Sequence, residues 1–119
     1  MALSITARIV SSVVILDMSG RLCCLDVALQ DSITELLEKG HREVVLNLAD
    51  VFCIDGFGLG QLITAWTSIR ERGGQLILLR PTDQVQKLLQ ITKLSSIFHI
   101  TDDEARALIS ARVSLAASA

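Results

Sequence analysis

Apolar and polar residues follow two different periods along this chain of 119 residues. Near the N-terminus the period is two: Ile5, Ala7 and Ile9 share one face, and polar residues occupy the other, as in a half-buried edge strand. A second strand is predicted at residues 13–18, after a hairpin turn at residues 11–12. The chain is therefore expected to open with two neighbouring strands.

Segments with a helical period follow, and they alternate with short apolar strands. A helix is predicted at residues 27–39, capped by Asp26 and ended by Gly40. The remaining predicted elements, in chain order, are a strand at 44–48, a helix at 58–72, a strand at 75–79, a helix at 83–91, a strand at 98–100 and a helix at 102–111.

The start and the buried face of the last helix are also predicted. Thr101 and Glu104 have the spacing of a capping box. The face expected to be buried carries Ala105, Leu108 and Ile109. A frayed tail is expected at residues 113–119, so the domain is predicted to cover residues 1–112.

The order of these elements, β-β-α-β-α-β-α-β-α, indicates the fold class. The strand at 44–48, the helix at 58–72 and the strand at 75–79 form a βαβ unit, whose strands should be parallel with a right-handed crossover. The length fits one domain, since domains typically have ~100–150 residues. We therefore expect a single α/β domain with a mixed, mostly parallel sheet of four to five strands and about four helices packed against it.

Composition limits the classes of partner that the protein is expected to bind and the cellular compartment in which it is expected to lie. The net charge is −2 and only 3% of the residues are aromatic, so the chain lacks the basic surface and the stacking side chains that nucleic acids require. No apolar run approaches the ~20 residues that span a bilayer, and the N-terminus lacks the pattern of a secretory signal. We expect a cytoplasmic protein with no nucleic-acid partner and no direct membrane insertion.

Metal-binding and cofactor-binding patterns are missing from the sequence. Cys23 and Cys24 are adjacent and Cys53 stands alone, so no cysteine pair has the spacing of a zinc site. His41 and His99 lie far apart in the chain. The cysteines are expected to be small, half-buried apolar residues, and neither a metal nor a cofactor is predicted.

The candidate chemistry is concentrated in residues 49–60, which leave a central strand and enter a helix. Asp50 and Asp55 could in principle act as an acid–base pair, but no catalytic partner lies beside them. We expect instead that Asp50 caps a turn and that Asp55 caps the helix. The run from Gly58 to Gly60 lacks the remaining residues of a phosphate-binding loop, and close packing of the helix on the sheet explains it better. The segment predicts no enzyme activity.

This same segment resembles the STAS domain of bacterial anti-sigma factor antagonists and sulphate-transporter tails. The chain reads Asn47-Leu-Ala-Asp-Val-Phe-Cys-Ile-Asp55 and then Gly58-Leu-Gly60, where the antagonists typically read Asp-Leu-Ser-Gly-Val-x-x-Ile-Asp-Ser-Ser-Gly-Leu-Gly. Residues 18–22 and 92–105 also resemble segments of the family, so the resemblance covers about residues 4–111. It implies the STAS fold, whose order of elements is the one derived above.

The resemblance implies a regulator that switches partners. Unphosphorylated antagonists bind an anti-sigma factor, often a serine kinase, and so free the sigma factor. The kinase then phosphorylates a Ser directly before the Gly-Leu-Gly, and the added charge of about −1.5 to −2 breaks the complex. In this chain the acceptor position holds Phe57, which has no hydroxyl group, so this switch cannot operate there. Thr64 and Ser68 are the nearest hydroxyls, and neither is expected to replace it.

Two interpretations of Phe57 remain open at this point. The side chain either packs into the core or stays on the surface as an anchor for a partner protein. The resemblance places the partner contacts in the segment around it, at Asp50, Asp55, Gly56, Phe57, Gly58, Leu59 and Gly60.

We therefore expect an anti-sigma factor antagonist-like regulator of transcription that is not an enzyme. Its expected partner is a protein, an anti-sigma factor of serine-kinase type, and a homodimer is compatible with the sequence. The alternative is a STAS adaptor subunit of a membrane transport system or a stressosome-like scaffold.

Overall fold

The structure, a computed structural model, describes residues 3–23 and 27–118, with side chains as far as Ala111. The strands are β1 (Ser4–Val10), β2 (Val13–Leu22), β3 (Glu43–Ile54), β4 (Gln75–Leu79) and β5 (His99–Thr101). The helices are α1 (Ala28–Glu38), α2 (Gly56–Glu71), α3 (Asp83–Ile91) and α4 (Glu104–Ser118), with a short 3-10 helix at Leu94–Ser96. Asp26, the predicted cap of α1, lies outside the described residues.

The strands form one five-stranded sheet in the order β1-β2-β3-β4-β5. β1 and β2 are antiparallel and are joined by a two-residue turn, in which Ser11 and Ser12 have φ angles of 51° and 73°. The other neighbouring strands are parallel, as their helical crossovers require. The predicted fold class, a single α/β domain with a mixed and mostly parallel sheet, is confirmed.

Helices cover both faces of this sheet. Val14 and Leu16 of β2 face a large aliphatic core beneath α1, α2 and α3. Val13 and Ile15 face the opposite way, towards a smaller core beneath α4. Burial on both faces explains why the central strands are almost continuously apolar.

Strand β3 is longer than the predicted strand at 44–48. It continues to Ile54 because the end of β2 stays paired with it. Ser19 lies opposite Asp50 after one shift of register, and Leu22 lies opposite Ile54 after a second. The shifts interrupt the apolar pattern, which is why the sequence suggested a loop there. Asp50 is consequently an exposed strand residue, and the prediction that it caps a turn is wrong.

The predicted capping box at the last helix is not formed. Thr101 is the final residue of β5, and α4 begins at Glu104. The amide of Ala105 donates to Asp103 Oδ1 at 2.9 Å, so Asp103 caps the helix instead. The carboxylate of Glu104 is committed elsewhere, to Arg8 of β1.

Arg8 is the centre of a polar network that ties α4 to three strands. Its Nε donates to Asp17 Oδ2 and its Nη2 donates to Glu104 Oε1, both at 2.6 Å. Asn47 Nδ2 donates to Asp17 Oδ1 at 2.7 Å. Hydrogen bonds from Arg8 hold the pKa of both carboxyl groups below their usual values, and the same bonds raise the pKa of Arg8. The network therefore joins β1, β2, β3 and the first turn of α4.

The face of α4 that meets the sheet differs from the predicted one. Ala107 and Ala111 are buried, whereas Ala105 and Ile109 are exposed and Leu108 is half-buried. The ion pair of Glu104 with Arg8 anchors the start of α4, and small alanines permit a close approach to the sheet. The helix also continues beyond residue 111, to Ser118. The domain boundary at residue 112 stays a prediction.

Within residues 3–23 and 27–118, no helix is both long and apolar enough to cross a bilayer.

Helix α2 packs directly against the sheet at Gly58. A Cβ atom on Gly58 would overlap the carbonyl oxygen of Leu22 and lie 2.8 Å from Ile54 Cγ1. Gly60, two positions further along the same helix, has open space where its Cβ would be. The predicted close packing of the helix on the sheet is thus confirmed, and it rests on the first of these glycines.

The two glycines provide a matched pair of substitutions. Gly58→Ala should lower the free energy of unfolding by about 1–3 kcal/mol, because backbone atoms must move to admit the methyl group. Gly60→Ala should raise it by about 0.5–1 kcal/mol, because alanine favours a helix and meets no neighbour there. Urea denaturation of both variants measures these changes. Equal effects at the two positions would contradict the close contact.

Glu43 is the only charged side chain that is buried in the described part of the chain. It is 2% exposed, and its Oε2 atom has no hydrogen-bond partner. Burial raises the pKa of this carboxyl above its ordinary value of 4.5. Because the folded pKa lies above the unfolded one, the contribution of Glu43 to stability is complete below about pH 4.5 and is lost as the pH rises through the folded value.

Glu43→Gln should remove this loss, since the amide cannot ionise. We expect the variant to exceed the wild type by about 1 kcal/mol in free energy of unfolding at pH 7, and the difference to disappear near pH 4. Denaturation at several pH values measures both curves. A difference between the two curves that does not grow between pH 4 and pH 7 would contradict the assignment, and the comparison with the variant cancels the opposite pH dependence of Asp17 and Glu104.

Candidate protein-binding site at the start of helix α2

The candidate site lies at the edge of the sheet where β2 and β3 end. Both strands are parallel and lead into helices, so α1 and α2 begin at this same edge. Loops and helix starts at such an edge are the usual places for binding in open α/β sheets. Residues 49–60 comprise the last paired residues of β3 and the first turn of α2, rather than the loop that the sequence suggested.

Asp55 caps helix α2, as predicted. Its backbone is extended, with φ −123° and ψ −171°, and its side chain accepts a hydrogen bond from the amide of Gly58 at 2.8 Å. Its carbonyl oxygen accepts from the amide of Leu59 at 2.9 Å. These bonds satisfy amides that the start of a helix leaves without partners, and they fix the first turn.

Burial divides the predicted site residues into two groups. Gly58 and Leu59 are buried and attach the first turn of α2 to the sheet, and Asp55 is half-buried in its cap. The residues left accessible to a partner are Asp50, Gly56, Phe57 and Gly60.

Phe57 is on the surface. Its side chain is 68% exposed, so the interpretation that it packs into the core is excluded. It lies between exposed Gly56 and buried Gly58 in the capped turn, where residues one apart point about 100° away from each other. A large apolar side chain that no core contact explains is thereby held in solvent at the end of the domain.

A second exposed aromatic side chain, which sequence reasoning did not single out, accompanies it. Phe52 is 56% exposed, and the guanidinium of Arg21 lies 5.7 Å from the centre of its ring. Phe52 lies in the apolar run at residues 51–54. Its exposure follows from its position next to Val51 in the strand. Val51 faces the core, and neighbouring residues of a strand point to opposite faces. Val27, at the start of α1, is also 60% exposed.

The polar groups that the structure describes at this edge do not form a catalytic cluster. Asp50 is exposed, and the carboxylate of Asp55 is engaged in the helix cap. Cys53 is a half-buried thiol. Across the ranges 3–23 and 27–118, no group of three or more His, Cys, Asp and Glu side chains is arranged to hold a metal ion. The arrangement offers an apolar contact surface with charged residues beside it, which suits binding to a protein.

Comparison with known proteins gives relatives for most of the chain. The family model described as the STAS domain matches residues 4–107. A candidate anti-sigma factor antagonist of Thermotoga neapolitana is 38% identical over 74 residues, which are 62% of this chain and 66% of that protein. The aligned segment thus falls just short of two thirds of the relative's length.

Solved structures give the same picture for the fold. The crystal structure of a candidate anti-sigma factor antagonist from Thermotoga maritima matches with a TM-score of 0.79 at 30% identity, covering 91% of this chain and 94% of that one. The anti-sigma factor antagonist SpoIIAA, in its unphosphorylated form, matches with a TM-score of 0.69 at 19% identity, covering 92% of this chain and 97% of that one, which shows a shared fold. Since the STAS domain model covers nearly the whole of it, the chain belongs to the STAS domain family.

Proposed function

We propose that this protein is an anti-sigma factor antagonist that regulates transcription in the cytoplasm by binding an anti-sigma factor of serine-kinase type. The proposed contact surface is the accessible part of the site, with Phe57 at its centre and Asp50, Gly56 and Gly60 around it. Relatives named as anti-sigma factor antagonists support the class of function. The role is a binding role, and the protein itself performs no catalysis.

The exposure of Phe57 is the observation on which the proposal rests. A phenylalanine side chain has an area of roughly 200 Å², so a partner that covers the 68% exposed here removes about 140 Å² from water. At about 25 cal/mol per Å², that burial contributes about 3.5 kcal/mol. Aromatic side chains of this kind are typical of the few residues that dominate an interface.

Control by phosphorylation at the usual position is not part of the proposal. Phe57 stands where the family's acceptor Ser would be and offers no hydroxyl group. The hydroxyl of Thr64 already donates to the carbonyl oxygen of Gly60 at 2.9 Å. We propose that binding is constitutive or is set by the abundance of the partner.

The relatives favour this function over the alternative of a transporter adaptor or a stressosome-like scaffold, because those with the higher identities carry the antagonist name. Tagged wild-type protein should recover a kinase-type anti-sigma factor from lysate of the source cell, identified by mass spectrometry. Recovery of a transporter ATPase instead would establish the adaptor function and overturn the proposal.

Phe57→Asp should weaken binding to that anti-sigma factor by about 2 kcal/mol or more, or about thirtyfold, because it removes the apolar contact and desolvates a charge. Isothermal titration calorimetry with the purified partner measures the change. Ile91→Asp is the matched control, since Ile91 is also 68% exposed but lies at the far end of α3. Unchanged affinity for Phe57→Asp would exclude Phe57 as an anchor, and equal losses in both variants would indicate a non-specific effect.

Phe57→Ser should restore a phosphate acceptor at the start of α2. With the cognate kinase and radiolabelled ATP, we expect label on Phe57→Ser and none on the wild type. The labelled variant should then lose affinity, because about two negative charges enter the contact surface. Label on the wild-type chain at the level of the variant would contradict constitutive binding and point to another hydroxyl.

A further inference from the structure

Strand β1 forms an open edge of the sheet. It pairs with β2 over its full length, from Ser4 to Val10, without any shift of register, and no described strand lies on its other side. Edge strands are commonly protected from pairing by proline, lysine, a bulge or an unpaired inward charge. β1 contains no proline, no lysine and no bulge. Its one charged residue, Arg8, is paired with Asp17 and Glu104.

The turn that follows β1 determines which of its backbone groups face outwards. The positive φ angles of both turn residues, Ser11 and Ser12, identify a type I′ hairpin, in which the flanking residues Val10 and Val13 exchange hydrogen bonds. Backbone groups alternate along an antiparallel pair. The amide and carbonyl groups that point away from β2 therefore belong to Ile5, Ala7 and Ile9.

This outward edge is complementary to itself. If a second copy of β1 runs antiparallel with Ala7 opposite Ala7, then Ile5 lies opposite Ile9 of the other copy, and Ile9 opposite Ile5. Every outward amide in this register meets an outward carbonyl, and a two-fold axis passes between the two Ala7 residues. We propose that two copies of this chain pair through β1 in this register, which joins their sheets into one.

The side chains on the same edge also suit pairing with a second copy of β1. Ile5, Ala7 and Ile9 point to the α1 side of the sheet, where they line an open groove of about 400 Å³ between β1 and α1. Ile9 is 62% exposed there. The pairing places each Ile9 against Ile5 of the other copy, so the groove of each protomer is covered by apolar side chains of its partner.

The charges around the groove are also compatible with a two-fold axis. Glu35 and Lys39 of α1 line the groove and form an ion pair at 2.9 Å. The antiparallel α1 of a second copy presents the same two charges in reverse order, and the two charges of each copy already neutralise each other. On the other face of the sheet, the register places Arg8 opposite Thr6, and no like charges oppose each other.

Sedimentation velocity of the full chain between about 1 and 500 μM tests this pairing. We expect a monomer–dimer equilibrium with a dissociation constant on the order of 10 μM, as suits an interface of small area. Ala7→Pro should abolish the dimer without loss of fold, because the amide that it removes points away from β2. Thermal unfolding followed by circular dichroism checks the fold of each variant.

Two further variants define the surface and the register. Ile9→Glu should weaken the dimer at least tenfold, whereas Ile109→Glu should leave it unchanged, since Ile109 is 61% exposed on α4 and away from β1. The dimer of the Ile5→Lys variant alone should also dissociate. A mixture of Ile5→Lys with Ile9→Glu should form a heterodimer, because each Lys at position 5 then faces a Glu at position 9.

Three results would overturn the proposal. These are a wild-type chain that stays monomeric at 500 μM, a dimer that tolerates Ala7→Pro and Ile9→Glu, and a mixture of the charge variants that does not associate. A monomer that takes up an apolar dye in the groove would assign the groove to a small apolar ligand instead. The outcome is independent of the proposed function, because Phe57 is unchanged in all of these variants.

Discussion

The first turn of helix α2 lies directly on the backbone at the end of β2, and this contact sets the geometry of the candidate site. Gly58 is the point of contact, since a side chain there would overlap the carbonyl oxygen of Leu22. Asp55 closes the same turn by accepting from the Gly58 amide. The buried residues of α2 lie on one side of the helix, and at about 100° per residue Phe57 falls outside that side; they are Gly58, Leu59, Leu62, Ala65 and Ile69. The exposure of Phe57 therefore follows from which face of α2 packs on the sheet.

A second constraint holds the opposite layer of the domain. Arg8, Asp17, Asn47 and Glu104 connect three strands to the start of α4, and they come from distant parts of the chain. The network occupies the part of the sheet that α4 leaves uncovered, so polar side chains there find partners within the protein. It also takes up the charge of Arg8, which leaves β1 without a repulsive group on its outer edge.

The two proposed contact surfaces use different parts of the fold. The proposed site for an anti-sigma factor is formed by the ends of β2 and β3 and the first turn of α2, whereas the proposed pairing of two copies uses β1 and the groove beside α1. A dimer of this kind leaves the start of α2 accessible in both copies. A regulator without an acceptor hydroxyl at the usual position can then depend on concentration, through its own association and through the abundance of its partner.

The sequence by itself determined the order of the elements, the parallel βαβ unit and the Asp55 cap, because all of these depend on local periodicity and on residues close together in the chain. Only the tertiary structure decided the length of β3, since pairing with β2 continues past the point where the apolar pattern stops. It also decided the buried face of α4 and the partner of Glu104, where a local capping box and a distant arginine competed for the same carboxylate. The exposure of Phe57 was also decided by the tertiary structure. The residue type left burial and exposure both open, and the packing of another face of α2 on the sheet left Phe57 in solvent.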